Sequence, residues 1–508
     1  MRSDAMMHPS LSSRAALKPN FSALNAGGWT AATRVTSQIS QFVIILIASR
    51  FLGPAEFGVF SLVSAVAYAL LRIADAGWSE FIISWRGDES FIEATLTLSL
   101  IAGLIMSLLG LLGATFVDEV MASPTEAHLM ALFALWIVLA TLSSAQGGVL
   151  TRRQQVAPLS TILIAAEGVG FAVTVTALFT GADLFSLAYG RLAQQSLQMV
   201  ASAALTGARP RALPDRAVIR EVLAFTRHIF LTRWLNLMRM YASTFLIGLF
   251  LGPQSVGLYR AADRLVGALM ELMNEPARML AWLLLRRAAV RAQAEGLPVR
   301  ETVRETAELM LPLIIAIALP CLALLALFAD TVIAFLLGEG WRGAAPIVTI
   351  LAIARALVVP SSVTEALLSI LGEVRRFPPA SLINAVISIT ALAIAAQFDA
   401  VAVAVGELVA GTGVLATTIW LQRRYGGVRW GLVARHSLFI VPSIALGLVV
   451  AETISQTFAA ELPGIMRTLV ACAAATVIYA AAVGLLRPVA VRIAFSLWRQ
   501  QRAAEAAI

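Results

Sequence analysis

Lysine is almost missing from this chain of 508 residues: Lys18 is the single one. A P-loop that cradles nucleotide phosphates needs a lysine, and so does Schiff-base catalysis, so the body of the chain can do neither. Cysteine is nearly as rare. Cys321 and Cys472 both fall in apolar stretches, which gives no disulfide framework and no zinc ligand set, and core packing is the expected role of both. The four histidines, His8, His128, His228 and His436, are scattered and form no HExxH pattern. Charged residues are only 13% of the chain, and no polar segment is long enough to house a catalytic domain. ATP hydrolysis and loop-based glycosyl transfer are therefore disfavoured, and neither a cofactor nor a metal is expected.

Apolar residues fill the space instead. They are 59% of the chain, and mean hydropathy is +0.83, too apolar for a soluble globular protein of this length. Stretches of about 20 such residues recur, the length a helix needs to cross about 30 Å of hydrocarbon. The pattern predicts fourteen helical spans: 27–48, 56–83, 91–117, 127–150, 158–180, 184–206, 222–250, 255–285, 304–328, 344–371, 379–397, 400–422, 436–455 and 464–486. Nothing reads as the short alternating strands of a β-barrel. The fold class expected is an all-α polytopic membrane protein.

Arginines mark the cytoplasmic side, because basic loops are retained there. Arg86, Arg152 and Arg153, the group Arg209 to Arg220, the group Arg286 to Arg304, Arg375 and Arg376, and the group Arg423 to Arg435 all fall in alternate connections. Both termini are expected in the cytoplasm. Arg50, Arg342 and Arg467 are the exceptions, near span ends. The net charge of +8 is thus topological rather than a sign of nucleic-acid binding. The first 26 residues carry Arg2, Arg14 and Lys18 but no apolar core, so no cleavable signal peptide is expected.

The chain also repeats itself. "FLGPAEFG" at 51–58 returns 199 positions later as "FLGPQSVG" at 250–257. The same offset carries Thr33-Arg34 onto Thr232-Arg233 and Asp75 onto Asn274, while Asp183 and Gly190-Arg191-Leu192 resemble Asp399 and Gly406-Glu407-Leu408 at an offset of 216. The extra residues are most simply placed in an arginine-rich loop at 286–304. These matches keep their order, so spans 1–6 and 7–12 read as two copies of a six-helix unit in a parallel repeat. The organisation expected is a cytoplasmic segment 1–26, an N-lobe 27–206, a cytoplasmic linker 207–221, a C-lobe 222–422, two appended helices in 436–486, and a cytoplasmic tail 487–508. Gly-Pro should end spans 1 and 7 sharply, since proline disfavours helix just before it.

Ionisable residues inside spans are costly and usually face a cavity or a partner. They concentrate in spans 1, 2, 7 and 8. Thr30, Arg34, Ser37, Gln38 and Gln41 share an arc of roughly 100° on span 1, and Ser61, Ser64, Tyr68, Arg72, Asp75 and Ser79 share roughly 80° of span 2. Arg260, Arg264, Glu271, Glu275 and Arg278 form a stripe about 27 Å long on span 8, and span 7 adds Arg233, Asn236 and Arg239. The repeat can place these faces opposite one another around a central cavity. Guanidinium groups suit phosphate bidentately and keep their charge when desolvated, so an anionic cargo is expected. Arg34, Arg72, Arg233, Arg239, Arg260 and Arg264, with Gln38, Gln41 and Asn236, are the candidate binding residues. Asp75, Asp263, Glu271 and Glu275 are candidates for ion coupling or pairing. The alternative is that Arg72 with Asp75, and Arg264 with Glu271 or Glu275, only hold helices together. Glu167, Arg191, Arg355, Glu365 and Glu407, the isolated charges of other spans, read as glue between helices before they read as coupling sites.

Three stretches, "ASRFLGPAEFGVFSLVSA" at 48–65, "IGLFLGPQSVGLYRAADRL" at 247–265 and "LLGEGWRGAAPIVTILAIARAL" at 336–357 leading to "ALLSILGEVRRF" at 366–377, resemble the Wzx-type polysaccharide and O-antigen flippases of the multidrug/oligosaccharidyl-lipid/polysaccharide exporter superfamily. The resemblance covers nearly the whole chain. It implies a two-lobed, V-shaped bundle that moves a polyprenyl-diphosphate-linked glycan from the cytoplasmic to the periplasmic leaflet of the bacterial inner membrane by alternating access, for lipopolysaccharide or exopolysaccharide export. It also implies a cationic cavity at Arg34, Arg72, Arg233, Arg239, Arg260 and Arg264. A coupling ion, H+ or Na+, and polysaccharide polymerase and chain-length proteins are the further partners expected. The last two spans are similar to the pair that forms a lipid groove in the lipid II flippase branch, so a peptidoglycan-precursor flippase is an alternative. A drug/cation antiporter of the same superfamily would want an acidic, aromatic-lined lobe instead.

Overall fold

The computed structural model describes residues 21–75, 77–85, 90–121, 123–211, 216–457 and 464–486. Arg86, the N-terminal segment before residue 21 and the tail 487–508 lie outside them. Among the described residues there is no strand. The helices are α1 (Phe21–Phe51), α2 (Pro54–Ala74), α3 (Trp78–Ser84), α4 (Ser90–Met121), α5 (Pro124–Arg152), α6 (Val156–Phe179), α7 (Phe185–Thr206), α8 (Arg216–Glu295), α9 (Val299–Leu327), α10 (Ala329–Leu336), α11 (Ala345–Val358), α12 (Thr364–Ile370), α13 (Phe377–Ala395), α14 (Ala400–Arg424), α15 (Trp430–Ser437), α16 (Ile440–Gln456) and α17 (Gly464–Leu486).

Eleven segments among the described residues are long and apolar enough to cross a membrane. Length and composition thus account for eleven of the fourteen expected spans and leave the full count unconfirmed. The expected spans 6, 7 and 8 are helical, as α7 and as the two arms of α8, but they are the least apolar of the set. The stretch 56–83 is not one helix: α2 ends at Asp75, and α3 starts after Gly77, whose φ of 94° a side chain would resist. The stretch 344–371 is likewise broken, into α11, a 3-10 turn at Val359–Val363 and α12, because Pro360 lacks the N–H that a continuous helix uses. The arginine-rich segment 286–304 is no loop. The second arm of α8 runs on through Arg286 and Arg291 to Glu295, and α9 begins only at Val299. That arm is about 60 Å long, twice the hydrocarbon thickness. Ala281, Leu285, Ala288 and Ala289 on it are buried against Val303, Ala307 and Leu311 of α9, so an apolar seam holds this hairpin together.

Gly252 breaks α8 with φ 79° and ψ 178°, conformations open to glycine. α2 packs along α8, α4 on α5, α6 on α7, α11 on α14 and α16 on α17. Where α2 meets the second arm of α8, the two copies of the repeated motif touch reciprocally. A Cβ on Gly58 would lie 1.7 Å from the Pro253 carbonyl oxygen, and a Cβ on Gly257 would lie 1.8 Å from that of Pro54. Such an exchange of equivalent partners is what a two-fold pseudo-axis produces. Outward, Leu104, Ile105, Leu108 and Leu112 of α4 and Leu382, Ile383 and Val386 of α13 are exposed, as side chains facing lipid would be.

Candidate functional site

Beneath the reciprocal glycine contact lies a cavity of about 540 Å³ between α1, α2, α6, α7 and both arms of α8. Its wall at the motif end is aromatic, with Phe57, Phe60 and Phe133. Deeper, Tyr68 of α2 stacks on Tyr241 of α8 at 6.0 Å, and the Arg260 guanidinium lies 5.6 Å from the centre of the Tyr241 ring.

Four arginines line the cavity: Arg72, Arg191, Arg260 and Arg264. Their partners are few. Arg264 donates to Gln38 Oε1 at 3.3 Å and Gln41 Oε1 at 2.9 Å, both on α1. Arg191 donates to Gln194 Oε1 at 3.2 Å. Arg260 lies 3.5 Å from Asp263. Arg72 is exposed to the cavity and makes no hydrogen bond or ion pair with any described residue. Against these stands one lining carboxylate, Glu167, which is 5% exposed and accepts from Ser37 at 3.1 Å and Gln194 at 2.6 Å. Neutral amides and a hydroxyl satisfy these charges only in part, so the cavity holds an excess of positive charge in a low-dielectric surround.

The candidate residues thus separate. Arg72, Arg260, Arg264 and Gln41 line the cavity, and Gln38 joins them through its bond with Arg264. Arg34 does not: it is 59% exposed and pairs with Glu275 at 3.0 Å, a carboxylate that Arg278 also binds at 3.0 Å. Asp75 caps the end of α2 and accepts from Ser144 at 3.3 Å. Glu271 is exposed and makes no hydrogen bond or ion-pair contact with a described residue, so its charge acts on Arg264 only from a distance, and Glu275 is held by Arg34 and Arg278 instead. Arg233, Asn236 and Arg239 sit on the first arm of α8, and their side chains lie outside the described residues. Arg191 and Glu167, read from sequence first as glue, are cavity residues. The signal for them existed, since each is the lone charge of its span, but the packing of α6 and α7 beside α1 was not legible.

A family model described as polysaccharide biosynthesis protein matches residues 47–346. The chain is 22% identical over 341 residues to the succinoglycan biosynthesis transport protein ExoT of Rhizobium meliloti (strain 1021), covering 66% of this chain and 66% of that protein. Among solved structures it is similar to the lipid II flippase MurJ in an inward closed conformation, with TM-score 0.70 and 12% identity over 92% of this chain and 99% of that one. It is also similar to an inward-facing multidrug resistance MATE family transporter of the MOP superfamily, with TM-score 0.59 and 16% identity over 77% of this chain and 95% of that one.

Proposed function

The chain belongs to the polysaccharide biosynthesis protein family and is a multi-pass membrane protein on the MOP transporter fold, and from that premise we propose that it flips a polyprenyl-diphosphate-linked oligosaccharide from the cytoplasmic to the periplasmic leaflet by alternating access. One observation carries the reading: four arginines line the cavity, and among the described residues all but Arg260 are hydrogen-bonded or paired only to neutral groups or to none. A diphosphate supplies what they lack, since each charge-assisted hydrogen bond to it contributes about 1.5–3 kcal/mol. The lipid tail remains in the bilayer while the headgroup crosses.

In this reading 27–206 and 222–422 are the two rocking lobes, joined by the linker 207–221 and followed by two appended helices in 436–486. Residues 1–26 and 487–508 are cytoplasmic in the bacterial inner membrane. The named relative supports an exopolysaccharide precursor as cargo and, with it, polymerase and chain-length proteins as partners. A proton or Na+ gradient is the proposed energy source. A lipid II cargo would offer the same diphosphate, and the family match favours the polysaccharide precursor over it.

The test is export in a complementation assay with matched membrane levels. Gln at Arg72, Arg191, Arg260 and Arg264 together should abolish export and leave lipid-linked oligosaccharide in the cytoplasmic leaflet. Single Lys replacements, which keep charge but lose the planar fork, should be intermediate. Full export by the fourfold Gln variant overturns the reading.

A further inference from the structure

Arg260 lines the cavity, but the residues that hold it do not. Asp263, one helical turn along α8, lies 3.5 Å from Arg260 and also accepts a hydrogen bond from Arg355 Nη2 of α11 at 3.0 Å. Arg355 in turn lies 4.0 Å from Glu407 of α14. All three side chains outside the cavity are at most one-third exposed, and one carboxylate is shared between two guanidiniums. The two sides are unequal: the contact to Arg355 is shorter and hydrogen-bonded, and the contact to Arg260 is an ion pair alone. Arg355 therefore draws Asp263 away from Arg260.

We propose that Asp263, set by Arg355, fixes the anion affinity of the cavity. Partnered by Arg355, Asp263 leaves Arg260 available to a diphosphate. Deprived of Arg355, the carboxylate turns its full charge on Arg260 and competes with the cargo for it. Binding at Arg260 must in return tighten the Asp263–Arg355 pair, since coupling between two equilibria is reciprocal, and that strain passes directly to α11 and α14 of the C-lobe. Asp263 is a positioning residue here, acting through Arg260. The inference rests on the reading of the cavity as a diphosphate site.

The two partners of one ion pair should then act with opposite sign. With the full chain in lipid nanodiscs and farnesyl diphosphate as probe, Asp263→Asn should bind roughly tenfold tighter than the parent and Arg355→Gln roughly tenfold weaker, each about 1.4 kcal/mol. The double variant should bind as tightly as Asp263→Asn alone, because the effect of Arg355 travels through Asp263. A mere change in the local field would add instead and bring the double variant back to the parent. Asp263→Glu should bind like the parent, and inorganic diphosphate should show the same ratios as farnesyl diphosphate. Weakening by both single variants, an additive double, or ratios confined to the prenylated probe overturns the inference. If Asp263→Asn does not elute as a single species, Arg355→Gln and Arg355→Lys decide it: unchanged binding by Arg355→Gln overturns it, and graded weakening through Lys to Gln supports it. Absence of binding to either probe by the parent itself would instead remove the diphosphate reading on which this rests.

Discussion

Gly58 lies against Pro253 so closely that a methyl group on it would come within 1.7 Å of the proline carbonyl oxygen. Its equivalent in the repeat, Gly257, faces Pro54 in the same way. This is why the chain carries the motif twice: each copy supplies the glycine that the other copy's backbone needs.

The first prediction concerns that contact. Backbone cannot swing aside as a flexible side-chain tip does, so Gly58→Ala and Gly257→Ala should each cost more than the usual 1–3 kcal/mol of overpacking. Both should lower export sharply, and to a similar extent, at unchanged membrane level. Gly53→Ala is the contrast. Its φ is −77° and the nearest neighbour of an added Cβ, at 3.9 Å, is the tip of Glu56, so export should be retained.

Much of this arrangement was legible in sequence, and the part that was not has a physical reason. The repeat, the polar faces of spans 1, 2 and 8 and the positions of Arg72, Arg260 and Arg264 follow from periodicity, because side chains of one helix face share one environment. Partner choice does not follow. Arg34 and Arg264 lie on the same arcs of their spans as predicted, yet Arg34 meets Glu275 and Arg264 meets two glutamines, since the rotation of α1 against α8 is set by packing elsewhere. The long arm of α8 was missed for a related reason. Its arginines read as a loop by charge, while Ala288 and Ala289 on the opposite face carry the helix onward.

The Arg34–Glu275 pair links α1 to α8 across the two lobes, and its exposure makes it weak. An exposed ion pair contributes about 0.2–1 kcal/mol, and here Glu275 is shared with Arg278. Arg34→Ala should therefore leave thermal stability within about 1 kcal/mol of the parent. Export should respond to charge reversal: Arg34→Glu should impair it and Arg34→Glu with Glu275→Arg should restore much of it. Equal impairment in the single and the double variant would show that the pair does not join the lobes during the cycle.

At the other margin of the C-lobe, Glu308 of α9 is 3% exposed and accepts from Arg429 three times, from the backbone N at 2.8 Å, Nε at 3.1 Å and Nη2 at 2.9 Å. The contact ties α9 to the turn before α15. Removing the Arg429 side chain leaves the buried carboxylate with the backbone N–H and a 3.7 Å ion pair to Arg304 in place of two guanidinium bonds, whereas removing the carboxylate releases a half-exposed arginine toward water. Arg429→Ala should accordingly cost about 1–3 kcal/mol and Glu308→Gln less. Melting of the purified protein in detergent reads both, and the reverse order would refute the account.

The last prediction follows from two caps exchanged between α1 and the stretch from α10 to the 3-10 turn that follows it. The Trp341 indole N–H, in a 3-10 turn at Glu339–Ala344, donates to the Ser49 carbonyl at 3.1 Å, and Arg50 donates in return to the Phe335 carbonyl. Both carbonyls belong to last helical turns, where no intrahelical donor is available. Trp341 is also buried and meets Phe57 edge to face, with ring centres 5.7 Å apart. Replacement by Phe keeps that ring contact and loses only the hydrogen bond, so Trp341→Phe should cost about 0.5–1.5 kcal/mol. Trp341→Ala should cost about 3–5 kcal/mol, because it opens a cavity beside the repeated motif as well. Arg50→Ala should resemble Trp341→Phe, and the two together should add if the caps act independently. Thermal melting orders the set. A Trp341→Phe loss as large as that of Trp341→Ala would mean that the indole N–H, rather than the packing around Phe57, holds α1 to the C-lobe.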